Sequence, residues 1–310
     1  MKVKNIVMLG AAIAMFSNVS AQLPSSGMSK TGVLDGVYVQ EHIPTKRVIQ
    51  YTHLREADII WAKRVWRTID LREKKNHPLM YPLVPISDRR SLWDVIKYGI
   101  TVERSLTPYE ALDGAGDAND QFDLPIKPAN GNVDDPAYKE AIQNLFYEVS
   151  TEAKLDDDGE PMYDEMGNEL DTTIFSDIGS DRIIKYLVKE DWFFDKQRGV
   201  QERRIIGIAP VIYSKDDNGD VKGFKVMFWL YFPECRYVFQ NFFVYNSQND
   251  ARRMSFDDLF WKQEYSSYIH KESNVFDREV QATWDGVDAL LESEKIKKEI
   301  FTIEHDLWHL

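Results

Sequence analysis

Two neighbouring runs, Arg204 to Tyr213 and Lys222 to Phe232, constrain the fold more than any other feature of the chain. Both are rich in β-branched and aromatic residues. The polar stretch between them carries Asn218-Gly219, a pair that tolerates the positive φ of a tight hairpin. In the second run Phe224, Val226, Phe228, Leu230 and Phe232 alternate with Met227, Trp229 and Tyr231, so both faces are apolar and both need covering. Such a strand sits inside a domain or turns one face to another subunit. Pro210 has no N–H to give a sheet ladder and argues for an edge or a bulge in the first run.

Helical spacing surrounds this centre. It predicts a helix over His53–Lys75, with Ala57, Trp61, Val65 and Ile69 on one face. A second helix starts near Ser91, buries Leu92, Val95 and Ile96, and ends at Gly99, where a left-handed cap suits glycine. A third places Tyr138, Ala141, Ile142, Leu145, Phe146 and Val149 on one stripe. Ser255 is the expected N-cap of a fourth, and a long closing helix is expected to carry Trp284, Val287, Leu291, Ile296 and Ile300 inward. The fold class is therefore α+β, a central, mostly antiparallel sheet flanked by N- and C-terminal helices. The expected division is a signal peptide at 1–21, an extended arm at 22–52, a helical part at 53–112, a Gly-, Asp- and Pro-rich linker or long loop at 113–136, and an α+β part at 137–310.

The first residues bear on where the protein works. Lys2 and Lys4 precede an apolar run from Ile6 to Phe16, and Val19-Ser20-Ala21 offers small residues where a signal peptidase cuts. Gln22 would then begin the mature chain, without the cysteine that a lipid anchor needs, and no later stretch approaches the roughly 20 apolar residues of a membrane span. The expected location is the periplasm, which has no ATP or NAD pool. Loss of two lysines and no acid takes the net charge from −13 to −15, with the acids spread along the chain. That argues against nucleic acid, whose binding draws on clustered cations. Cys235 is the single cysteine, so no intramolecular disulfide forms, and beside an apolar strand it reads as a buried inert thiol.

Tests for chemistry find little. The loops Asp156-Asp157-Asp158-Gly159 and Asp216-Asp217-Asn218-Gly219-Asp220 do not fit a calcium frame, because Lys154 and Ser214 hold the first-ligand position. His305 and His309 are spaced for one helix face, but Asp306 stands where a zinc-protease glutamate belongs. No nucleophile elbow, phosphate loop or dinucleotide fingerprint occurs, and no cofactor or metal is expected. Pairs such as Glu190-Asp191 and Asp257-Asp258 are too numerous by chance to mark an acid/base couple. What stands out is aromatic: Trp192-Phe193-Phe194, Phe242-Phe243 and Phe260-Trp261, with Trp192, Phe193 and Phe194 the candidate interface residues. Three adjacent aromatics cannot all point to one side.

The strings Lys189-Glu190-Asp191-Trp192-Phe193-Phe194-Asp195-Lys196-Gln197-Arg198 and Arg204-Ile205-Ile206-Gly207-Ile208-Ala209-Pro210 resemble the gliding-motility family GldN, also called PorN. So do Val65-Trp66-Arg67 through Glu73-Lys74-Lys75, Phe256 to Lys262, Ser273 to Arg278, Leu290-Leu291-Glu292 and Glu304 to Trp308. The resemblance implies a periplasmic core component of the type IX secretion system, which underlies gliding in Bacteroidota. It further implies assembly with itself in a large ring, with an outer-membrane lipoprotein of the GldK or PorK type, and a connection to the inner-membrane motor proteins GldL and GldM. Membrane contact would be indirect, and no catalytic residue carries over. The competing expectations are a secreted hydrolase with a carboxylate pair and a periplasmic carrier with an enclosed apolar cavity.

Overall fold

The computed structural model describes residues 47–86, 89–111, 120–128, 131–153, 171–215, 220–246, 249 and 253–307. The expected signal peptide, most of the arm, Asn218-Gly219, the Asp156–Gly159 loop and His309 lie outside the described residues. In chain order the elements are β1 (Ile59–Asp70), α1 (His77–Met80), α2 (Leu92–Thr101), β2 (Pro108–Glu110), α3 (Pro136–Phe146), β3 (Tyr147–Ala153), β4 (Asp171–Asp177), β5 (Ile183–Asp195) and β6 (Val200–Lys215). There follow β7 (Val221–Val226), β8 (Phe228–Tyr231), α4 (Phe232–Phe239), β9 (Phe243–Val244), β10 (Met254–Ser255), α5 (Phe256–Lys262), β11 (Tyr268–Glu272) and α6 (Gly286–Leu307).

The fold is α+β. A seven-stranded sheet runs β11-β1-β5-β6-β8-β2, with β7 also paired to β6, and its pairs are antiparallel. The helix expected over His53–Lys75 is instead the strand β1, in register with β5 from Asp70↔Lys185 back to Ile59↔Asp195. The four-residue spacing of Trp61, Val65 and Ile69 fits a helix. However, Ile59, Ile60, Trp61, Val65, Trp66, Thr68 and Ile69 are β-branched or aromatic, and two neighbouring strands are available to pair with them.

The central runs form β6, β7 and β8. Phe228, Trp229 and Leu230 are buried, as apolar residues on both faces require, whereas Phe224 on β7 is half exposed. Pro210 lies in an interior strand, not at an edge, but at a break: its carbonyl accepts from Met227 N at the point where β7 gives way to β8. A missing N–H is tolerated at such an irregularity in the ladder. The run stops at Tyr231, and Phe232 opens α4 with Pro233 in its first turn, where the absent N–H is harmless.

Ser91 caps α2 by accepting from Asp94 N at 3.1 Å, and Ser255 and Asp258 form a reciprocal capping box on α5. Gly99 is not a cap. It is buried inside α2, which runs on to Thr101, and a Cβ there would lie 2.6 Å from Leu106, so glycine serves close packing. The third predicted helix is α3, capped by Asp135 and ended at Phe146, so Val149 falls on β3. Helices α2, α4 and α5 pack the main core onto the sheet, with Phe232, Phe239, Phe256 and Phe260 in ring contact at 5.3–6.3 Å. A second, smaller cluster of Val65, Ile269, Val280, Ala289, Ile296 and Ile300 lies under α6. Contrary to expectation, Trp284, Val287 and Leu291 are exposed, and the inward face of α6 is Ala289, Ser293, Ile296 and Ile300. Small residues let the helix sit close on β11, where Ser293 Oγ accepts from Ile269 N at 2.8 Å.

Candidate interaction surfaces

The three adjacent aromatics lie on β5, and strand alternation divides them. Trp192 and Phe194 are half-buried on the face beneath α6, where Trp192 packs against the smaller cluster. Phe193 is buried on the other face, under the guanidinium of Arg204, 5.1 Å from its ring centre. None of the three is fully exposed in the single chain.

Alternation also separates Glu190 from Asp191. Asp191 accepts two hydrogen bonds from Arg64, at 2.6 and 2.8 Å. Glu190, wholly buried, faces Arg203 at 2.7 Å and Arg67 at 3.3 Å from the strands on either side. Arg203 also donates to Tyr265 Oη and to the Phe260 carbonyl; burial raises the Tyr265 phenol above its usual range and outweighs the guanidinium, which pulls it down. Asp257 and Asp258 likewise divide, the first onto Arg236 and the second into the α5 cap.

Acids with shifted affinities are held ionised. The Arg198 guanidinium keeps Asp195 below the carboxylate range. Burial pushes Asp70 upward, but hydrogen bonds from Arg72 outweigh it and the net direction is down. A general acid needs the opposite shift. Among the described residues no group of three or more His, Cys, Asp and Glu could hold a metal ion. Cys235 is buried in α4, its thiol donating to the Tyr231 carbonyl, and burial raises it well above the ordinary thiol range, so it is no nucleophile.

Two features escaped sequence reasoning. Residues 49–52 are held by Arg236, which donates to the Ile49 carbonyl and lies against the stacked rings of Tyr51 and Trp261, and by Arg204, which donates to the Thr52 carbonyl. The base of the expected arm is therefore fixed. In the polar stretch read as a linker, Asp120 accepts from Trp66 Nε1 at 2.6 Å and meets Lys189 Nζ at 3.0 Å, while Phe122 packs on Tyr109, Trp229 and Tyr231. A lone phenylalanine amid polar residues was the available signal.

Exposed apolar residues gather in separate places. Tyr81, Leu83, Val84, Ile86 and Tyr245 line a groove of about 1220 Å³ beyond the C-terminal end of β1. Val275 and Phe276 stand out after β11, beside the middle of β1, where Ser273 N bonds the Arg64 carbonyl. A third set, Leu291 and Phe301, lies on α6. No helix among the described residues is long and apolar enough to cross a membrane.

None of the curated proteins matches the chain. The model of one family, described as gliding motility associated protein GldN, matches residues 54–309, which takes in the sheet, both apolar clusters and the exposed patches. With that match covering most of its 310 residues, the chain belongs to the gliding motility associated protein GldN family.

Proposed function

We propose that this chain is a non-enzymatic periplasmic core subunit of the type IX protein secretion and gliding machinery. It forms a large ring with sister copies and an outer-membrane lipoprotein of the GldK or PorK type, and the motor components GldL and GldM connect to that ring. The observation that carries the reading is the pair of separate exposed apolar patches at Tyr81–Ile86 and Val275–Phe276. Head-to-tail contacts that close into a ring need two different surfaces on each subunit. The first patch follows β1 in the chain, and the second is tied to the middle of β1 by the bond from Ser273 N to the Arg64 carbonyl. The buried carboxylates Asp70, Glu190 and Asp195 each face arginine, which suits a rigid scaffold better than a hydrolase. Trp192, Phe193 and Phe194 belong to the same reading through the half-buried sides of Trp192 and Phe194. Phe193 lies within the subunit, so its loss would act first on stability.

Co-expression with the lipoprotein should give ring-sized particles by gel filtration and electron microscopy. The pairs Val84→Asp with Ile86→Asp, and Val275→Asp with Phe276→Asp, should each abolish those particles while moving monomer stability by no more than about 0.5 kcal/mol, because the residues are exposed. Persistent monomers of the unaltered protein, or rings from both variants, would sink the reading.

A further inference from the structure

Helix α6 and the adjoining face of the sheet bound a groove of about 950 Å³, open to solvent, with Arg67, Trp192 and Ile269 along the sheet and Leu291, Lys298 and Phe301 along the helix. Its lining also includes Lys75, Lys295 and Lys297, against a single acid, Glu294. Lys295 and Lys297 pair with Glu292 and Glu294 along the helix, so the positive excess of the groove rests on Lys75, Lys298 and the guanidinium of Arg67, in a chain of net charge −13.

The floor repeats that imbalance. Two guanidiniums, Arg67 and Arg203, share the one carboxylate of Glu190, which leaves a positive charge uncompensated in a largely buried position. Arg67 Nε and Trp192 Nε1 are enclosed without an acceptor, and orphaned buried donors of this kind are rare in folded proteins. The Arg67–Glu190 contact at 3.3 Å is ionic and lacks hydrogen-bond alignment, so the guanidinium is not locked to its partner. The walls are apolar: Leu291 is 62% exposed and Phe301 is 69% exposed.

We propose that this groove binds an extended acidic segment of a partner protein that carries apolar side chains at alternate positions. The acids of the segment meet Lys75, Lys298 and the Arg67 guanidinium, and its apolar side chains lie on Trp192, Leu291 and Phe301. Charge selects an anionic occupant, and a trough open along one helix suits a strand-like peptide better than a small molecule, which would favour an enclosed cavity. The inference needs no ring and stands apart from the assembly reading.

A fluorescein-labelled octapeptide alternating glutamate and leucine, titrated with the purified protein at about 50 mM salt, should bind saturably and more tightly than its lysine–leucine counterpart. That preference is diagnostic, because non-specific attraction to a chain of net charge −13 favours the basic peptide. Lys75→Glu with Lys298→Glu, and separately Phe301→Asp, should each weaken binding by about tenfold or more. All three positions are exposed, so folding is preserved, and unchanged thermal melts verify it. No saturation up to about 1 mM, equal affinity in both variants, or equal affinity for a glutamate–serine peptide would overturn the proposal. Self-association that the same substitutions abolish, without peptide binding, would assign the groove to a second copy and overturn it too.

Discussion

Gly207 lies on β6 beneath the ring of Phe122, and an added Cβ would come within 2.8 Å of that ring and 3.2 Å of Trp229. Gly207→Ala should cost about 1–3 kcal/mol through overpacking. It should also lift residues 120–128 off the sheet, so that limited proteolysis cuts there first; an unchanged cleavage pattern would show that the ring is not the peg. His270 is a different kind of constraint. Burial, then the charges of Lys271 and Lys185, pull its imidazole down to about 3, and Nδ1 lies 2.9 Å from Thr68 Oγ1. The folded state thus favours the neutral ring, whereas the unfolded chain takes up the proton near 6.5. Stability is full above that pH and falls as pH drops from 6.5 toward 3, by at most about 1.4 kcal/mol per unit. The actual loss is smaller because His270 keeps part of its surface exposed. Denaturant melts at pH 7.5 and 4.5 should show that loss in the native protein and a flatter response in His270→Gln. The lowered carboxylates Asp70 and Asp195 lose their contribution mainly as pH falls through their ordinary value of 3.8, so between pH 7.5 and 4.5 they add little. Equal acid sensitivity in both proteins would assign the effect elsewhere.

At the scale of elements, what the sequence made legible was local. Ser91 and Ser255 announce their helices because the cap hydrogen bond is made three residues on, and α3 shows itself by an apolar stripe behind Asp135-Pro136. Strand β1 was misread because the residues that break its alternation, Arg67, Thr68 and Asp70, are buried polar groups. Arg67 is matched by Glu190 on β5, a partner no local window contains. Helix α6 misled in the opposite sense. Hydrophobicity favours Leu291 over Ser293 as an inward residue, yet close approach to β11 and the bond to Ile269 N require the small hydroxyl inside. Leu291, turned outward, then became a wall of the groove. The aromatic triplet was visible as a cluster, but its division between two faces depended on β5 being a strand with neighbours on both sides.

Across the whole molecule, the two apolar clusters divide stability unevenly. The larger runs through α2, α4, α5 and the centre of the sheet; the smaller consists of Val65, Ile269, Val280, Ala289, Ile296 and Ile300, with Trp61 and Trp192 packed on it. Burial per element is the main source of resistance to opening, so α6 and β11 should open together at a lower free energy than the rest. Ser293 is the joint, because its hydroxyl accepts from the backbone N–H of Ile269 on β11. Ser293→Ala removes that acceptor from a buried donor, a loss of about 1–3 kcal/mol. Hydrogen exchange read by mass spectrometry should therefore show α6 and β11 peptides exchanging before those of α2, α4 and β8, with Ser293→Ala accelerating the first set and leaving the second nearly unchanged. Uniform protection, or a uniform loss of it in the variant, would mean that the chain opens as one unit. The groove beside α6 would then be as rigid as the core, whereas separate opening makes its width adjustable to what it receives.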